Sequence, residues 1–510
     1  MSSRARPREP GFCIGWHRIM QIVLPLDESS EIPLYRQVVD GIVGMITEGR
    51  LGCGSKLPST RELAEHLGIS RFTTSKAYEE LARQGYIETS SSVGTFVSRT
   101  LVPLQKQAMP VDKRPADIPD APVKSLRLSE YGERIMTSPA IESTHIELFE
   151  ELNYCAPAPE QLPISKWREL LVKCSREREL SFRTYVSDVF GHEALRVALA
   201  DYLSRCRGIR CTYEQICVFS GAQPALDLLS RLLITGGDTA LVENPGFPGA
   251  RRLFVSYGGR LKTIPVDANG VMVERLLEDD AEGKVMYVTP SHHDPTGVVL
   301  SVPRRKRLLS WAAEKTAWII EDDFDSEFRY GDKPLPALQA QDGAECVIYL
   351  SAFWKIMFPV LRLGFVVVPR RFVPVLRKAK SLAERDFHYV EHEALTHFIT
   401  EGHLERHVRR TRAIYARRRQ ALIAKLNAHL AGKVRISPVS AGTHLLVRFE
   451  TAVPEEKLLS SAREATLPMV STKAYYWEGA VDREFLIPFA HVEESEIERG
   501  VDRFMEICPL

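Results

Sequence analysis

Between Ile319 and Gly364 the chain runs Ile-Ile-Glu-Asp-Asp-Phe-Asp-Ser-Glu-Phe-Arg-Tyr (319–330) and then, after a loop, Val-Ile-Tyr-Leu-Ser-Ala-Phe-Trp-Lys-Ile-Met-Phe-Pro-Val-Leu-Arg-Leu-Gly (347–364). The first half reads as a buried apolar strand that ends in acids. The second reads as another such strand, a loop holding one lysine, and an arginine seven residues on. A carboxylate at one strand end, a lysine at the next and a following arginine are what pyridoxal phosphate needs: a partner for the pyridinium nitrogen, an amine for a Schiff base and a cation for the phosphate. By spacing alone, a pair of parallel strands with incidental loop charges fits equally well.

The surrounding sequence supports an α/β body. Short apolar runs at Ile216–Ser220, Thr239–Glu243, Leu261–Val266, Lys284–Thr289, Trp318–Glu321, Val347–Leu350 and Gly364–Val368 alternate with helical patterns such as Leu195–Leu203, Pro224–Leu233 and Gly249–Tyr257. That alternation predicts a mostly parallel sheet covered on both faces, with ligands beyond the carboxyl ends of its strands. Three unusual segments fall at such ends. Ser220-Gly-Ala-Gln precedes a helix, so the backbone N–H groups of Ala222 and Gln223 point at an anion. Asn244-Pro-Gly-Phe offers Phe247 as an aromatic plate, and Pro290-Ser-His-His-Asp-Pro-Thr-Gly places Asp294 in a turn. With Asp322, Lys355 and Arg362 they converge on one cleft.

The first hundred residues read differently. Leu34, Val38, Ile42, Val43 and Ile46 form a helical stripe. Ser59 and Thr60 are N-cap candidates for a short helix that Gly68 stops. Ser70 caps a third helix, whose Thr74, Ala77, Tyr78 and Leu81 share a face that must be buried. Gly85-Tyr-Ile-Glu-Thr and Ser-Val-Gly-Thr-Phe-Val make a hairpin with Gly94 near its tip. Two short helices joined by a glycine turn and followed by a hairpin make a helix-turn-helix with a wing. The pattern Leu-Pro-Ser-Thr-Arg-Glu-Leu-Ala…Leu-Gly-Ile-Ser-Arg…Ala-Tyr…Gly-Tyr-Ile…Gly-Thr-Phe-Val resembles the GntR winged-helix family over about seventy residues. The resemblance implies that Arg61 and Arg71 meet phosphates or guanine edges and that Ser70, Phe72 and Thr73 sit at the major groove. Lys76 would lie nearer the backbone, and Gly94 would let the wing approach the minor groove. Phe72 replaces a small polar residue of the family and is suited to a thymine methyl. Thr74 stands in for an aliphatic residue, which weakens the expected packing.

Bulk charge names no partner. The net charge is +1 and residues 31–99 carry eight acids and eight bases, so any nucleic-acid footprint is local. Nine scattered cysteines without a Cys-x-x-Cys read as reduced thiols and predict a cytoplasmic protein. No apolar run is long enough to span a bilayer, so no membrane partner is expected. Residues 1–19 are an arginine-rich tail, with Met20 a plausible natural start. Residues 20–99 form the reading domain. Residues 100–140, which hold prolines 103, 110, 115, 119 and 122, read as a semi-stiff linker. Residues 141–510 form the body.

Ser-Gly-Ala-Gln-Pro-Ala-Leu-Asp-Leu-Leu, Glu-Asn-Pro-Gly-Phe-Pro-Gly-Ala-Arg, Thr-Pro-Ser-His-His-Asp-Pro-Thr-Gly, Glu-Asp-Asp-Phe-Asp-Ser-Glu-Phe-Arg-Tyr and Leu-Arg-Leu-Gly-Phe look like the fold-type I aminotransferase domain of MocR/GabR-type regulators. With the winged helix in front, the resemblance spans about Ile22 to Phe489. It implies pyridoxal phosphate on Lys355 and Asp322 at the pyridinium nitrogen. It also implies Phe247 stacked on the ring, Ala222, Gln223 and Arg362 at the phosphate, and a homodimer with Tyr185 as a contact from the second subunit. DNA carrying an operator and a small amino effector would be the partners.

Against that family pattern, Trp354 replaces a serine, Ala352 a hydroxyl residue and Phe324 a tyrosine. Asp294 would sit beside a phenolate, and the strand Phe485-Leu-Ile-Pro-Phe-Ala lacks the arginine that fixes a substrate carboxylate. The expected protein is therefore a regulator that senses an amino compound with little or no transaminase turnover. A working aminotransferase fused to a DNA-binding domain and a regulator that has lost the cofactor are the alternatives. His388, His392, His397, His403 and His407 have metal-like spacing but no supporting ligand set, so polar surface and no metal are expected. The seven arginines of Arg406–Arg419 read as a solvated helix face, or as a basic surface for bent DNA.

Overall fold

A computed structural model describes residues 22, 24, 26–27, 30, 32–47, 50–90, 94–98, 127–138, 156–176, 188–278, 282–330, 335–357, 361–384, 388–437 and 441–508. The chain divides into two compact units, Met1–Leu126 and Arg127–Leu510. The expected tail and the proline-rich stretch up to residue 126 lie outside the described residues.

In the first unit α1 (Leu34–Thr47), α2 (Thr60–Leu67) and α3 (Arg71–Arg83) precede an antiparallel hairpin, β1 (Ile87–Ser90) and β2 (Gly94–Val97). Ser59 caps α2 in a reciprocal capping box with Glu62, and Gly68 closes it at φ +69°. Ser70 caps α3. Val38 and Ile42 of the predicted stripe are fully buried, while Leu34, Val43 and Ile46 are half-buried. Thr74 is fully buried. Its hydroxyl donates to the carbonyls of Thr60 (2.8 Å) and Arg71 (3.0 Å), tying α2 to α3 where an aliphatic residue would only pack.

The second unit carries an eight-stranded sheet in the order β3-β10-β9-β8-β7-β4-β5-β6. These strands are β3 (Ile216–Phe219), β4 (Thr239–Asn244), β5 (Arg260–Asp267), β6 (Gly270–Val271), β7 (Val285–Val288), β8 (Trp318–Asp322), β9 (Val347–Ala352) and β10 (Gly364–Val367). The central five are parallel. Strand β10 runs antiparallel to both β3 and β9. The central strands are apolar on both sides because both faces are covered. Ile320, Ile348 and Leu350 pack under helix Ala222–Leu233 and Leu376, whereas Ile319, Val347 and Met286 pack under Leu308 and Trp311. A four-stranded antiparallel sheet follows: β11 (Val434–Ile436), β12 (His444–Phe449), β13 (Val470–Ser471) and β14 (Glu484–Pro488), ordered β11-β12-β14-β13.

Helix Glu130–Thr137 falls within the stretch expected to be linker. Tyr131 stacks on Tyr257 with centroids 5.0 Å apart, and Arg134 donates to the Ser256 carbonyl at 3.0 Å.

Two surface expectations need correcting at single residues, His392 and His407 in one stretch and Arg418 in the other, while Arg406, Arg409, Arg410, Arg412 and Arg417 are exposed. The histidine-rich run is two helices, Tyr389–Thr400 and His403–Leu430, broken at Gly402. His392 and His407 are buried: the His392 ring accepts from the His192 amide at 3.3 Å, and His407 Nε2 lies 3.0 Å from the Ile356 carbonyl. Burial pushes the His392 imidazole down to about 3. Arg418 is only 5% exposed, pairing with Glu160 at 2.6 Å and the Ala490 carbonyl. Arg418 is a structural cation beneath the exposed arginines of the same helix. Among the described residues, no group of His, Cys, Asp or Glu is disposed to hold a metal ion, and no helix is long and apolar enough to cross a membrane.

Candidate functional site

Strand β8 delivers Asp322 into the protein, buried, where the Tyr287 hydroxyl from the neighbouring strand β7 donates to it at 2.6 Å. Burial raises the Asp322 carboxyl to about 7, with Asp323 and Asp325 adding repulsion while the Tyr287 bond and Lys355 oppose it. Strand β9 ends at Ala352 and turns through Phe353 into a single helical turn, Trp354–Met357, which carries Lys355. The Lys355 ammonium lies 5.4 Å from the ring centroids of both Phe324 and Trp354 and is 9% exposed.

The chain then reaches Arg362 and re-enters the sheet at Gly364. A Cβ there would lie 2.7 Å from the Gly221 carbonyl carbon and 3.0 Å from the Ala222 nitrogen. Only glycine lets β10 start this close to the N-terminus of helix Ala222–Leu233, whose amides open on the same space beside Arg362. Phe247 and Tyr287 face each other with centroids 6.3 Å apart. After β7, Thr289 donates through its amide and hydroxyl to Glu243 (3.0 and 2.9 Å), and its hydroxyl accepts from the Asp294 amide at 3.1 Å. This fixes the turn that presents Asp294. Burial pushes Glu243 up to about 8.

Ala222, Gln223, Phe247, Asp294, Asp322, Phe324, Lys355 and Arg362 thus line one cavity of about 500 Å³. Tyr185 lies outside the described residues. Sequence reasoning missed Tyr287, Thr289, Trp354 as a wall residue, and Tyr475. Tyr287 gave no signal because every residue of β7 is buried, which removes the two-residue periodicity that marks a face. Tyr475 comes from the connection between β13 and β14 of the small sheet. Its carbonyl accepts from the Gly246 amide and from Arg251 Nη1, both at 2.9 Å, while Asn244 exchanges hydrogen bonds with Glu478 (3.0 Å) and Trp477 (2.9 Å).

These residues fit pyridoxal phosphate at three points. A buried carboxylate can take a ring N–H, a lysine adjoins it, and a glycine-lined helix N-terminus with an arginine can take a phosphate. The fit is poorer where Ala352 and Phe324 offer no hydroxyl to the cavity.

In the first unit the predicted reading residues gather at the start of α3. The Thr73 amide donates to Ser70 Oγ at 3.1 Å, Arg71 is exposed, and Phe72 is 77% exposed. Lys76 rests its ammonium 4.1 Å from the Tyr35 ring centroid, and Arg61 meets Glu65 at 3.4 Å on the surface. Gly94 has φ +120°, and a Cβ there would come within 3.0 Å of Lys56 Cε. Lys56, absent from the sequence reading, therefore sits against the wing, where it bridges to Phe96. Nothing in its local sequence signals that.

Residues 34–97 match the model of bacterial regulatory proteins of the gntR family, and residues 153–504 match that of aminotransferases of class I and II. The chain is 32% identical over 480 residues to the Rhizobium meliloti protein named "Probable rhizopine catabolism regulatory protein MocR", covering 94% of each. It is 28% identical to PdxR of Corynebacterium glutamicum, an HTH-type pyridoxine biosynthesis transcriptional regulator, over 94% of this chain and 96% of that one. Among solved structures, a Pyrococcus horikoshii kynurenine aminotransferase superposes with a TM-score of 0.66 at 28% identity, covering 74% of this chain and 97% of that one.

Proposed function

Because the chain belongs to the MocR-type branch of the gntR-family regulators, a winged helix followed by an aminotransferase class I and II domain, we propose that it is a DNA-binding transcription regulator that holds pyridoxal phosphate on Lys355 and senses a small amino compound. The observation that carries this reading is the buried Asp322 carboxylate, braced by Tyr287, in one cavity with Lys355 and the glycine-lined helix N-terminus. Pyridoxal phosphate would supply an electrophilic carbon that bonds amines. Asp322 would accept from the ring nitrogen, the amides of Ala222 and Gln223 with Arg362 would take the phosphate, and Phe247 would cover the ring. A ligand that takes the place of Lys355 frees its side chain. Different affinities for the two arrangements then bias DNA binding. A homodimer in the cytoplasm completes the proposal.

Loss of turnover is supported by Phe324 and Ala352, which remove hydroxyl donors from the cavity. Purified full-length protein given the cofactor should develop a visible absorption band that Lys355→Ala lacks. A featureless spectrum, or a band persisting in the variant, sinks the reading and favours a cleft that has lost its cofactor. Steady keto-acid formation would instead favour a working aminotransferase.

The DNA side has its own test. Arg71→Ala is expected to weaken binding to a fragment selected from a random pool by about 1–3 kcal/mol. Fluorescence anisotropy at fixed salt measures it, and unchanged affinity in a folded variant removes Arg71 from the interface.

A further inference from the structure

Phe72 stands in the first turn of α3 with its side chain 77% exposed, on the side away from the buried Thr74, Ala77, Tyr78 and Leu81. One exposed apolar side chain is ordinary on a protein surface. Its place at the start of the reading helix of a winged-helix unit is what gives it meaning. Several polar side chains around it have partners within that unit. Ser70 Oγ accepts from the Thr73 amide at 3.1 Å and lies 2.8 Å from Thr73 Oγ1. The Lys76 ammonium rests over the Tyr35 ring, and the Thr74 hydroxyl donates to two carbonyls. Arg71 and Phe72, next in sequence to Ser70, are both exposed. A cation beside an aromatic ring suits a surface that is anionic and carries apolar points. In the major groove that point is the C5-methyl of thymine, the apolar group on a base edge. 5-Methylcytosine carries the same methyl at the same ring position.

We propose that Phe72 is a specificity-determining residue that reads a pyrimidine C5-methyl in the major groove, whether thymine or 5-methylcytosine carries it. The inference rests on the DNA-binding reading above. A phenyl ring has no donor or acceptor, so it does not tell bases apart by hydrogen bonding. What it gains is burial of its own surface together with the methyl. Arg71 alongside supplies the attraction to phosphate or to a guanine edge.

Fluorescence anisotropy of the full-length protein at fixed salt tests this on a duplex selected from a random pool. Each thymine is replaced in turn by deoxyuridine, which lacks only the C5-methyl. Native protein is expected to bind about fourfold more weakly when one particular thymine is replaced, the effect of one methyl group returned to water. At that position 5-methylcytosine paired with guanine should bind more tightly than cytosine by a similar factor. Phe72→Ala should bind the thymine and deoxyuridine duplexes alike, and Phe72→Leu, still apolar, should keep part of the preference. Far-UV circular dichroism checks that the variants fold, and the native comparison stands without them. Deoxyuridine tolerated everywhere to within about 1.5-fold, no gain from 5-methylcytosine, or a preference that survives in Phe72→Ala overturns the inference. Native protein that selects no duplex at all sinks the DNA-binding reading instead.

Discussion

Asp322→Ala is expected to weaken the hold on pyridoxal phosphate by about 1.5–3 kcal/mol, roughly 10- to 150-fold in Kd. Asp322 is a buried carboxylate lining the cavity, and the Tyr287 hydroxyl donates to it at 2.6 Å. Burial already pushes it up to about 7, so a cation beside it gains more than it would on the surface. An opposite charge at that position returns the group to its ionised form. Absorbance titration of cofactor into native protein, Asp322→Ala and Asp322→Asn measures the effect. Asparagine keeps the shape and the bond to Tyr287 but loses the charge, so it should fall near alanine if charge is what matters. A Kd within about twofold of native in both variants would remove Asp322 from the cofactor's partners.

Arg207→Met should cost about 3–5 kcal/mol of stability, the range for removing one partner of a buried pair. Arg207 Nε sits 2.7 Å from Asp323, while Nη1 donates to the Leu335 carbonyl (2.7 Å) and Nη2 to Ser291 Oγ (2.8 Å). Around it lie Glu321 and Glu327, each raised to about 7 chiefly by burial and then by repulsion from Asp323. Without the arginine this acid cluster has lost its central cation. Tyr349, which donates to Asp323 at 2.6 Å, cannot neutralise it. Urea denaturation of the two proteins measures the difference. Arg205→Met serves as the control, because its pairs with Asp201 and Glu405 are surface-exposed and worth less than about 1 kcal/mol. Equal losses in both variants would show that Arg207 contributes packing rather than charge.

Much of this molecule was legible from residues in a row. Ser59, Gly68 and Ser70 mark the helix ends of the first unit because caps and left-handed stops are local chemistry, settled within four residues. The strand-end acid, the loop lysine and the following arginine were legible for a related reason. Buried parallel strands are short apolar runs, and whatever polar residue follows one must lie at its end. Other features had no local signature. The antiparallel course of Gly364–Val367 is invisible in four apolar residues, since strand direction depends on the path of the connection. Arg418 and His392 look like surface residues in their helices. They are buried because Glu160, Ala490 and His192, each more than seventy residues away, supply the hydrogen bonds that make burial tolerable.

The chain's own order of residues determined that a winged helix precedes an α/β body, and which side chains stand at the strand ends. Tertiary packing decided what surrounds them: Tyr287 beneath Asp322, and Tyr475 pinned by Arg251 and Gly246. Periodicity reports which face of an element is buried, but not which partner it is buried against. A cavity wall assembled from strands nearly two hundred residues apart exists only once those partners meet.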